Sequence, residues 1–197
     1  MSEIAVVKVG GSLYDLPDLS WRLQRWLDTD ARVQPPTRII LVPGGGPTTD
    51  AVRVLDRTHD LGDEQAHWLA LRALSLNAHF LANLLPGARV STVVQQVETR
   101  WNVLDALAFF RTDEELHNRP TIPHVWAASS DTVAARVAVA AQARRLILLK
   151  SVTMPSDVSD WEEAGRRHIV DSLFAPMLRQ SPPELEVSTV NLREWQG

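Results

Sequence analysis

Short apolar runs that lack alternating polar positions mark the strands of this chain. Three such runs cover residues 4–9, 38–42 and 145–150, and valine, isoleucine and leucine dominate them. Runs of this length are typical of strands that are buried on both faces, as in a parallel sheet. Residues 186–191 form a further candidate strand near the end of the chain. The pattern therefore predicts a central sheet that is mostly parallel.

Apolar residues that recur every three or four positions predict helices between these strands. The first helix covers residues 17–27, and a second is capped by residues 48–50. Such alternation of strands and helices is typical of an α/β fold with right-handed crossovers. Residues 101–113 fit either a short strand at 103–104 or a helix at 106–111. The other predicted elements are helices at 63–85, 133–143, 161–165 and 171–179, a strand at 89–97 and a loop at 114–123.

Glycines cluster where the first two strands end. Five of the nine glycines lie in Gly10-Gly11 and Gly44-Gly45-Gly46. The absence of Cβ atoms lets a ligand approach the backbone closely. Ser12 follows the first pair as a candidate helix cap, and a helix that begins there would direct amide groups towards an anion. The loops therefore predict an anion-binding edge of the sheet, although ordinary turns also use glycine.

Lysine is rare in this chain and occurs only at strand ends. Of the 20 basic residues, only Lys8 and Lys150 are lysines. A lysine ammonium is a compact charge that suits a single phosphate oxygen, whereas arginine presents a broad fork. Asp131 lies near the start of a predicted helix, where the helix dipole stabilises a carboxylate. Because strand-end lysines also extend to solvent and aspartates also cap helices, catalytic and structural roles both stay open.

Composition narrows the functional classes. The chain has 197 residues, a net charge of −4 and no cysteine. The negative charge argues against a general binder of nucleic acid or anionic membranes, and no apolar run approaches the roughly 20 residues of a membrane span. Without cysteines or a basic leader, we expect a cytoplasmic enzyme. The six histidines lack the i, i+4 spacing of a metal-binding helix, so no metal site formed by the chain itself is predicted.

Four segments of the chain carry a family resemblance. They are Lys8-Val9-Gly10-Gly11-Ser12, Val42-Pro43-Gly44-Gly45-Gly46, Trp126-Ala127-Ala128-Ser129-Ser130-Asp131 and the strand that ends at Lys150. Their order resembles that of the amino acid kinase superfamily, which includes carbamate, acetylglutamate, uridylate and isopentenyl phosphate kinases. Within it, the chain looks most like the short aminomethylfuran phosphate kinases of methanofuran biosynthesis. The resemblance implies a three-layer α/β/α sandwich with a mostly parallel open sheet, in one domain over residues 1–197.

The resemblance implies transfer of the γ-phosphoryl group from ATP, bound with Mg²⁺ that is held mainly through the phosphates. Lys8 would neutralise charge on the transferring group, and Asp131 would orient both lysines. The amides of Gly10 and Gly11, with Ser12 beside them, would hold phosphoryl oxygens. Such chemistry depends on positioning and charge stabilisation more than on a covalent group.

The resemblance also assigns different ligands to two parts of the chain. Residues 1–130 would mainly bind the acceptor and the transferring phosphoryl group. Residues 131–197 would form a reduced nucleotide-binding side. The Gly44-Gly45-Gly46 amides and Ser130 would hold the acceptor, a phosphate monoester such as aminomethylfuran phosphate. The helix at 63–85 would form a homodimer. No nucleic acid or membrane partner is expected.

The chain departs from the family pattern after Lys150. Many members have an acidic loop there that helps to hold the nucleotide, whereas Ser151-Val152-Thr153-Met154-Pro155 has neither acids nor glycine. The later catalytic lysine is also missing, so Lys150 would replace it. The alternative is a nucleotide- or anion-binding protein on the same fold that no longer transfers phosphate. A Rossmann dehydrogenase is disfavoured, because Thr49 stands where the fingerprint needs glycine.

Overall fold

The computed structural model describes residues 3–34, 37–94 and 101–196 of the chain. Its described strands form one sheet in the order β3-β4-β2-β1-β5-β6, and all of their pairings are parallel. The predicted mostly parallel open sheet is thus confirmed. The strands are β1 (Ile4–Val9), β2 (Arg38–Pro43), β3 (Arg89–Ser91), β4 (Trp101–Leu104), β5 (Arg145–Lys150) and β6 (Glu186–Asn191).

Helices connect the strands and cover both faces of the sheet. Short 3-10 turns lie at Gly11–Leu13 and Ala31–Val33. The described α-helices are α1 (Leu19–Thr29), α2 (Gly46–His59), α3 (Asp63–Leu84), α4 (Ala106–His117), α5 (Ser130–Ala140), α6 (Trp161–Arg166) and α7 (Phe174–Leu178). None of these helices has the length and apolar character required to cross a bilayer.

Two hydrophobic cores lie on opposite faces of the sheet, because successive strand side chains point to opposite sides. On β1, Val6 belongs to one core, while Val7 belongs to the other. The Val6 core packs against α4, α5 and α7, and the Val7 core packs against α1. Helix α3 contributes Leu71 to the first core and Leu81 to the second. The result is the three-layer α/β/α arrangement.

Strand register brings the candidate site together at one edge of the sheet. Lys8 on β1 pairs with Val42 on β2 and with Leu148 on β5. The carboxyl ends of three adjacent parallel strands therefore meet there. The loops that begin at Gly10 and Gly44 lie beside each other as a consequence. Ligands of open α/β sheets bind at this edge.

Two helix starts differ from the expectation. Ser12, a candidate helix cap, lies in a 3-10 turn, and α1 starts at Leu19, two residues after the predicted start at residue 17. The second helix begins at Gly46, before the predicted caps at residues 48–50. The hydroxyl of Thr48 instead donates to the Gly45 carbonyl at 2.7 Å. Only the second glycine loop therefore leads directly into an α-helix.

Other boundaries differ by a few residues. Helix α4 runs through His117 into the segment predicted as a loop, and Asn118 ends it with a φ of 50°. Trp101–Leu104 is a full strand because β2 and β3 pair with it on either side. The strand predicted at 89–97 ends at Ser91, and part of that prediction lies outside the described residues. Helix α5 begins three residues before the predicted 133–143 and ends at Ala140, and α7 is shorter than the predicted 171–179.

Candidate functional site

The two glycine loops contact each other directly. A Cβ atom on Gly11 would lie 2.1 Å from the Gly46 nitrogen, and one on Gly44 would lie 2.2 Å from the Gly11 nitrogen. Gly46 also has a φ of 54°, in the left-handed region that favours glycine. Glycine is therefore required for the two loops to pack against each other, and this packing shapes the edge at which a ligand would bind.

Side chains from two other elements fix the second loop. Asn77 on α3 donates from Nδ2 to the carbonyls of Gly44 at 2.8 Å and Gly45 at 2.7 Å. The Tyr14 hydroxyl donates to the Gly44 carbonyl at 3.0 Å. These hydrogen bonds fix the orientation of the Gly44 and Gly45 carbonyls, and so of the peptide groups in the second loop.

Some loop amides are engaged within the fold and others are not. The Gly10 amide donates to the Leu149 carbonyl at 2.9 Å, and the Gly44 amide donates to the Val9 carbonyl at 2.8 Å. Within residues 3–34, 37–94 and 101–196, the amides of Gly11, Gly45 and Gly46 donate to no backbone carbonyl outside the helices and strands. Three peptide donors thus remain for a ligand at the facing loops.

Both lysines of the chain meet at one buried carboxylate. Lys8 Nζ lies 3.0 Å from Oδ1 of Asp131, and Lys150 Nζ donates to Oδ2 at 2.6 Å. Lys150 Nζ also donates to the Ile169 carbonyl at 2.8 Å. The side chains of Lys8 and Asp131 are only 7% and 6% exposed. We call Lys8, Asp131 and Lys150 the lysine cluster.

The lysine cluster carries a net positive charge in a buried place. Burial alone would raise the pKa of Asp131, but Lys8 and Lys150 outweigh it and hold that pKa below its usual range. Burial and the neighbouring Lys8 lower the pKa of Lys150, although Asp131 opposes this. Within the cluster one carboxylate faces two ammonium groups, and Asp171 outside it adds a weaker attraction on Lys150, so the cluster is suited to an anion.

A second aspartate holds the start of α5 in place. Asp171 accepts hydrogen bonds from the Ser129 hydroxyl at 2.7 Å and from the amides of Ser129 and Thr132 at 3.1 and 3.0 Å. It also accepts a short hydrogen bond from the Thr132 hydroxyl. Ser129 caps the helix, and the adjacent Ser130 lines the cleft. Asp131 is thus left to face the lysines.

The two lysines, the glycine loops and the start of α5 border one cleft with a cavity volume of about 320 Å³. The lysine cluster contributes Lys8 and Lys150 to its wall, and the loops contribute Gly11, Gly45 and Gly46. Ser12 also lines the cleft, and its hydroxyl lies 2.9 Å from that of Ser151. The predicted site residues that line the cleft are Lys8, Gly11, Ser12, Gly45, Gly46, Ser130 and Lys150.

The wall of the cleft on the α2 side combines cationic, aromatic and apolar groups. The Arg53 guanidinium lies 4.3 Å from the centre of the Trp126 ring, and Trp126 donates to Asp56 at 2.6 Å. Leu71 and Leu74 of α3 line the same cleft. This half of the cleft can hold a small molecule with both an anionic and an apolar part.

Comparison with known proteins identifies the family. The model of the family described as "Amino acid kinase family" matches residues 3–153, which is more than half of the chain. The chain belongs to the amino acid kinase family. The matched range includes both glycine loops and the whole lysine cluster, so the resemblance seen in the sequence motifs is confirmed.

One family relative has a named substrate. The [5-(aminomethyl)furan-3-yl]methyl phosphate kinase of Methanocaldococcus jannaschii is 23% identical over 151 residues. The matched stretch covers 75% of this chain and 65% of that relative, which is slightly less than two thirds of its length. The similarity agrees with the subgroup suggested by the motifs.

Solved structures of amino acid kinase relatives share the fold. Uridylate kinase from Archaeoglobus fulgidus has a TM-score of 0.64 at 17% identity, over 94% of this chain and 88% of that one. Aspartate kinase from Synechocystis has a TM-score of 0.62 at 15% identity, over 94% of this chain and 37% of that one. At these identities the likeness concerns the fold alone.

Several residues around the site were not singled out by sequence reasoning. Asn77, Asp171 and Arg53 are examples, since each is one of many similar polar residues in the chain. Asn77 carries a weak signal, because it is a polar residue within the mostly apolar stripe of α3 and is only 3% exposed. For Asp171 and Arg53 we find no distinguishing pattern, and their position depends on long-range packing.

Proposed function

We propose that this protein is an ATP-dependent small-molecule kinase. The observation that supports this most strongly is the lysine cluster, in which Lys8 and Lys150 share Asp131 beside two glycine loops. A buried surplus of positive charge stabilises the charge that spreads over the phosphoryl oxygens in the transition state. Membership of the amino acid kinase family favours the same chemistry.

Each member of the cluster has a distinct role in this proposal. Lys8, at the end of β1, contacts the transferring phosphoryl group. Lys150, at the end of β5, contacts the β- or γ-phosphate and replaces the lysine that the chain lacks after position 150. Asp131 positions both ammonium groups by ion pairing and does not itself contact substrate. The distances support the positioning role of Asp131, since its two oxygens each lie within 3.0 Å of one ammonium group.

The site fits ATP in charge and in hydrogen-bond donors. When bound, ATP supplies the γ-phosphoryl group, and the residues of this chain bind and orient it. The unengaged amide of Gly11, with the Ser12 hydroxyl nearby, donates to phosphoryl oxygens. Asp131 is already paired with two lysines, so we expect Mg²⁺ to be held mainly through the phosphates. Residues 131–197 would form most of the nucleotide side.

The acceptor is proposed to be a phosphate monoester. The unengaged amides of Gly45 and Gly46 and the Arg53 guanidinium can hold its phosphate, and Ser130 lies on the same cleft. A phosphate oxygen is already ionised, so it needs no strong base to attack the γ-phosphorus. Aminomethylfuran phosphate is our first candidate, because the named relative acts on a phosphate of that kind.

The experiment that tests the proposal is phosphorus NMR of the purified protein with MgATP and a panel of phosphate monoesters that includes aminomethylfuran phosphate. Formation of ADP together with a new diphosphate signal is the expected result. Intact ATP throughout the panel, with clear ATP binding by calorimetry, would favour the binding-protein alternative. The segment 151–155, which lacks the acidic loop of many relatives, would then be the first place to seek the cause.

We also propose that the protein is a homodimer that associates through α3. Leu76 and Phe80 on α3 are exposed to 61% and 38%, and Val54 and Leu55 are exposed on the contacting helix α2. Apolar surface of this kind favours association. Light scattering should give twice the chain mass, and Leu76→Glu with Phe80→Glu should give the monomer. A wild-type monomer would reject this.

The predicted cytoplasmic location is retained as part of the proposal.

A further inference from the structure

A second polar cluster lies beside the cleft, where α3, α4 and the loop after α4 meet. His67 on α3, Glu114 on α4 and His124 in the following loop each present one donor atom, and these atoms lie within 4.8 Å of one another. His67 also lines the main cleft. We propose that these three residues, which we call the histidine cluster, bind a transition-metal ion of the zinc type. The proposal does not depend on kinase activity.

The donor set determines the class of metal. Two imidazoles and one carboxylate suit Zn²⁺ and similar ions, whereas Mg²⁺ and Ca²⁺ prefer oxygen donors alone. Three protein donors leave a coordination position for water or a ligand. The Mg²⁺ that accompanies ATP would therefore not compete effectively for this place.

The surroundings of His124 match those of a metal-binding histidine. Its Nδ1 lies 2.5 Å from Oε2 of Glu64, and its Nε2 lies 2.9 Å from Oε1 of Glu114. Trp68 donates from Nε1 to the other Glu64 oxygen at 2.7 Å. A histidine that binds metal through one ring nitrogen usually donates from the other to a carboxylate, which fixes the ring. Glu64 would be that second-layer carboxylate, and Nε2 would face the ion.

His67 provides independent support. Its side chain is buried, with the residue 7% exposed, and Nε2 has no hydrogen-bond partner among the described residues. Buried polar atoms in native proteins nearly always have a partner. A bound ion would satisfy this nitrogen without any additional polar residue.

Binding requires a local change at His67. Its ring is stacked on that of His124, with centroids 4.0 Å apart and planes 12° apart. Two stacked rings cannot both aim an in-plane lone pair at one ion, so we expect His67 to rotate when metal binds. The Trp68 ring packs edge-on against both histidine rings, with its centroid 5.5 Å from each of theirs. The environment of Trp68 should therefore change as well.

The test uses the full chain, freed of metal by a chelator. Calorimetric titration with Zn²⁺ should show one site per chain, and Co²⁺ should give the absorption of an ion with nitrogen ligands. His67→Ala and His124→Ala should each weaken Zn²⁺ binding by more than about 100-fold, beyond the roughly 10–100-fold expected for the second-layer change Glu64→Gln. His79→Ala, which alters an exposed histidine of the same helix, is the matched control.

Folding is checked separately, because either alanine variant could disturb the packing of α3. Zn²⁺ should raise the melting temperature of the wild type and of His79→Ala, but not that of the two cluster variants. Equal Zn²⁺ affinity in His67→Ala, His124→Ala and the control would overturn the proposal. So would a wild type that binds Zn²⁺ no more tightly than Mg²⁺.

Discussion

The lysine cluster and the histidine cluster reach the same cleft, the second through His67 alone among the residues that line it, but they are built differently. Lys8 and Lys150 stand at the ends of adjacent parallel strands, and the register of the sheet alone brings them together. His67, Glu114 and His124 come from two helices and a loop, and only the packing of those elements makes them neighbours. Strand-end chemistry is therefore visible in a sequence, whereas chemistry between helices becomes visible only in the fold.

The two clusters also differ in charge. The lysine cluster combines two ammonium groups with one carboxylate, and the surplus positive charge suits phosphate. In the other cluster, burial alone would lower the pKa of His124, but Glu114 and Glu64 outweigh it and raise that pKa. Burial and the nearby His124 lower the pKa of His67 to about 4, which leaves its imidazole neutral at pH 7. The cleft thus has a cationic wall suited to anions, and the metal-type donors of the histidine cluster lie beside it and reach it through His67.

The largest effect is expected from Lys8→Ala. Loss of the charge that stabilises the transferring group should lower kcat for acceptor-dependent ADP formation by about 100–1,000-fold. Arg38→Ala is the matched control, because Arg38 is an exposed cation at the amino end of β2, opposite the site. Steady-state kinetics measures kcat for both variants. Equal values for Lys8→Ala and Arg38→Ala would show that the lysine cluster has no part in catalysis.

Asp131→Asn should mainly affect stability. It leaves two buried ammonium groups without a carboxylate, so we expect the free energy of unfolding to fall by about 3 kcal/mol at pH 7. Because the folded protein holds the pKa of Asp131 below its ordinary 3.8, the stabilisation is present above that pH. It should be lost as the pH falls through the lowered value.

Denaturant titrations at several pH values measure this difference. Asp157→Asn is the control, since it removes an exposed carboxylate that pairs with Arg167, and little change is expected. A difference between wild type and Asp131→Asn that stays constant down to pH 2 would contradict the ion-pair account.

Gly11→Ala should show that the glycine loops need close packing. The new Cβ atom would lie 2.1 Å from the Gly46 nitrogen, so the loops must separate, at a cost of about 1–3 kcal/mol. Gly87→Ala adds a Cβ atom in open space at a φ of 82°, and only backbone strain of about 1 kcal/mol is expected. Thermal unfolding compares them, and a larger loss at Gly87 would refute the packing argument.

The smallest effect is expected from Lys150→Arg, which keeps the positive charge. The lowered pKa of Lys150 predicts that wild-type kcat/KM falls on the alkaline side below the ordinary lysine pKa of 10.5. In the arginine variant this fall should move to higher pH, because a guanidinium stays protonated. Profiles of kcat/KM against pH measure the shift. Identical alkaline limbs would show that another group controls the decline.

The centre of the sheet was predictable because its strands are largely apolar runs without alternating polar positions, as at Ile4–Val9 and Arg145–Lys150. Ser12 was only a candidate helix cap, and it lies in a 3-10 turn, because glycine followed by serine suits both a cap and such a turn. The local sequence favours neither. The role of glycine was only partly foreseen, since Gly11 and Gly44 are required by contact between the loops as well as by any ligand.

The rest of the site depends on contacts between residues that are distant in sequence. Asn77 reaches the Gly44 carbonyl across 33 positions, and Asp171 holds Ser129 across 42. His124 meets Glu64 across 60 positions. No local periodicity records such pairs. The histidines lack the i, i+4 spacing of a metal-binding helix, so no metal site was expected, and the histidine cluster is a proposal from the fold alone.

The central claim is that Lys8 and Lys150 together bind the phosphates of a nucleotide. The chain has only these two lysines, so protein labelled with ¹³C at lysine Cε should give just two side-chain environments. Addition of MgATP should shift both, and Lys8→Ala should remove one and weaken the shift of the other. If neither lysine responds at saturating MgATP, the cluster is not a phosphate site and the proposed kinase mechanism is wrong.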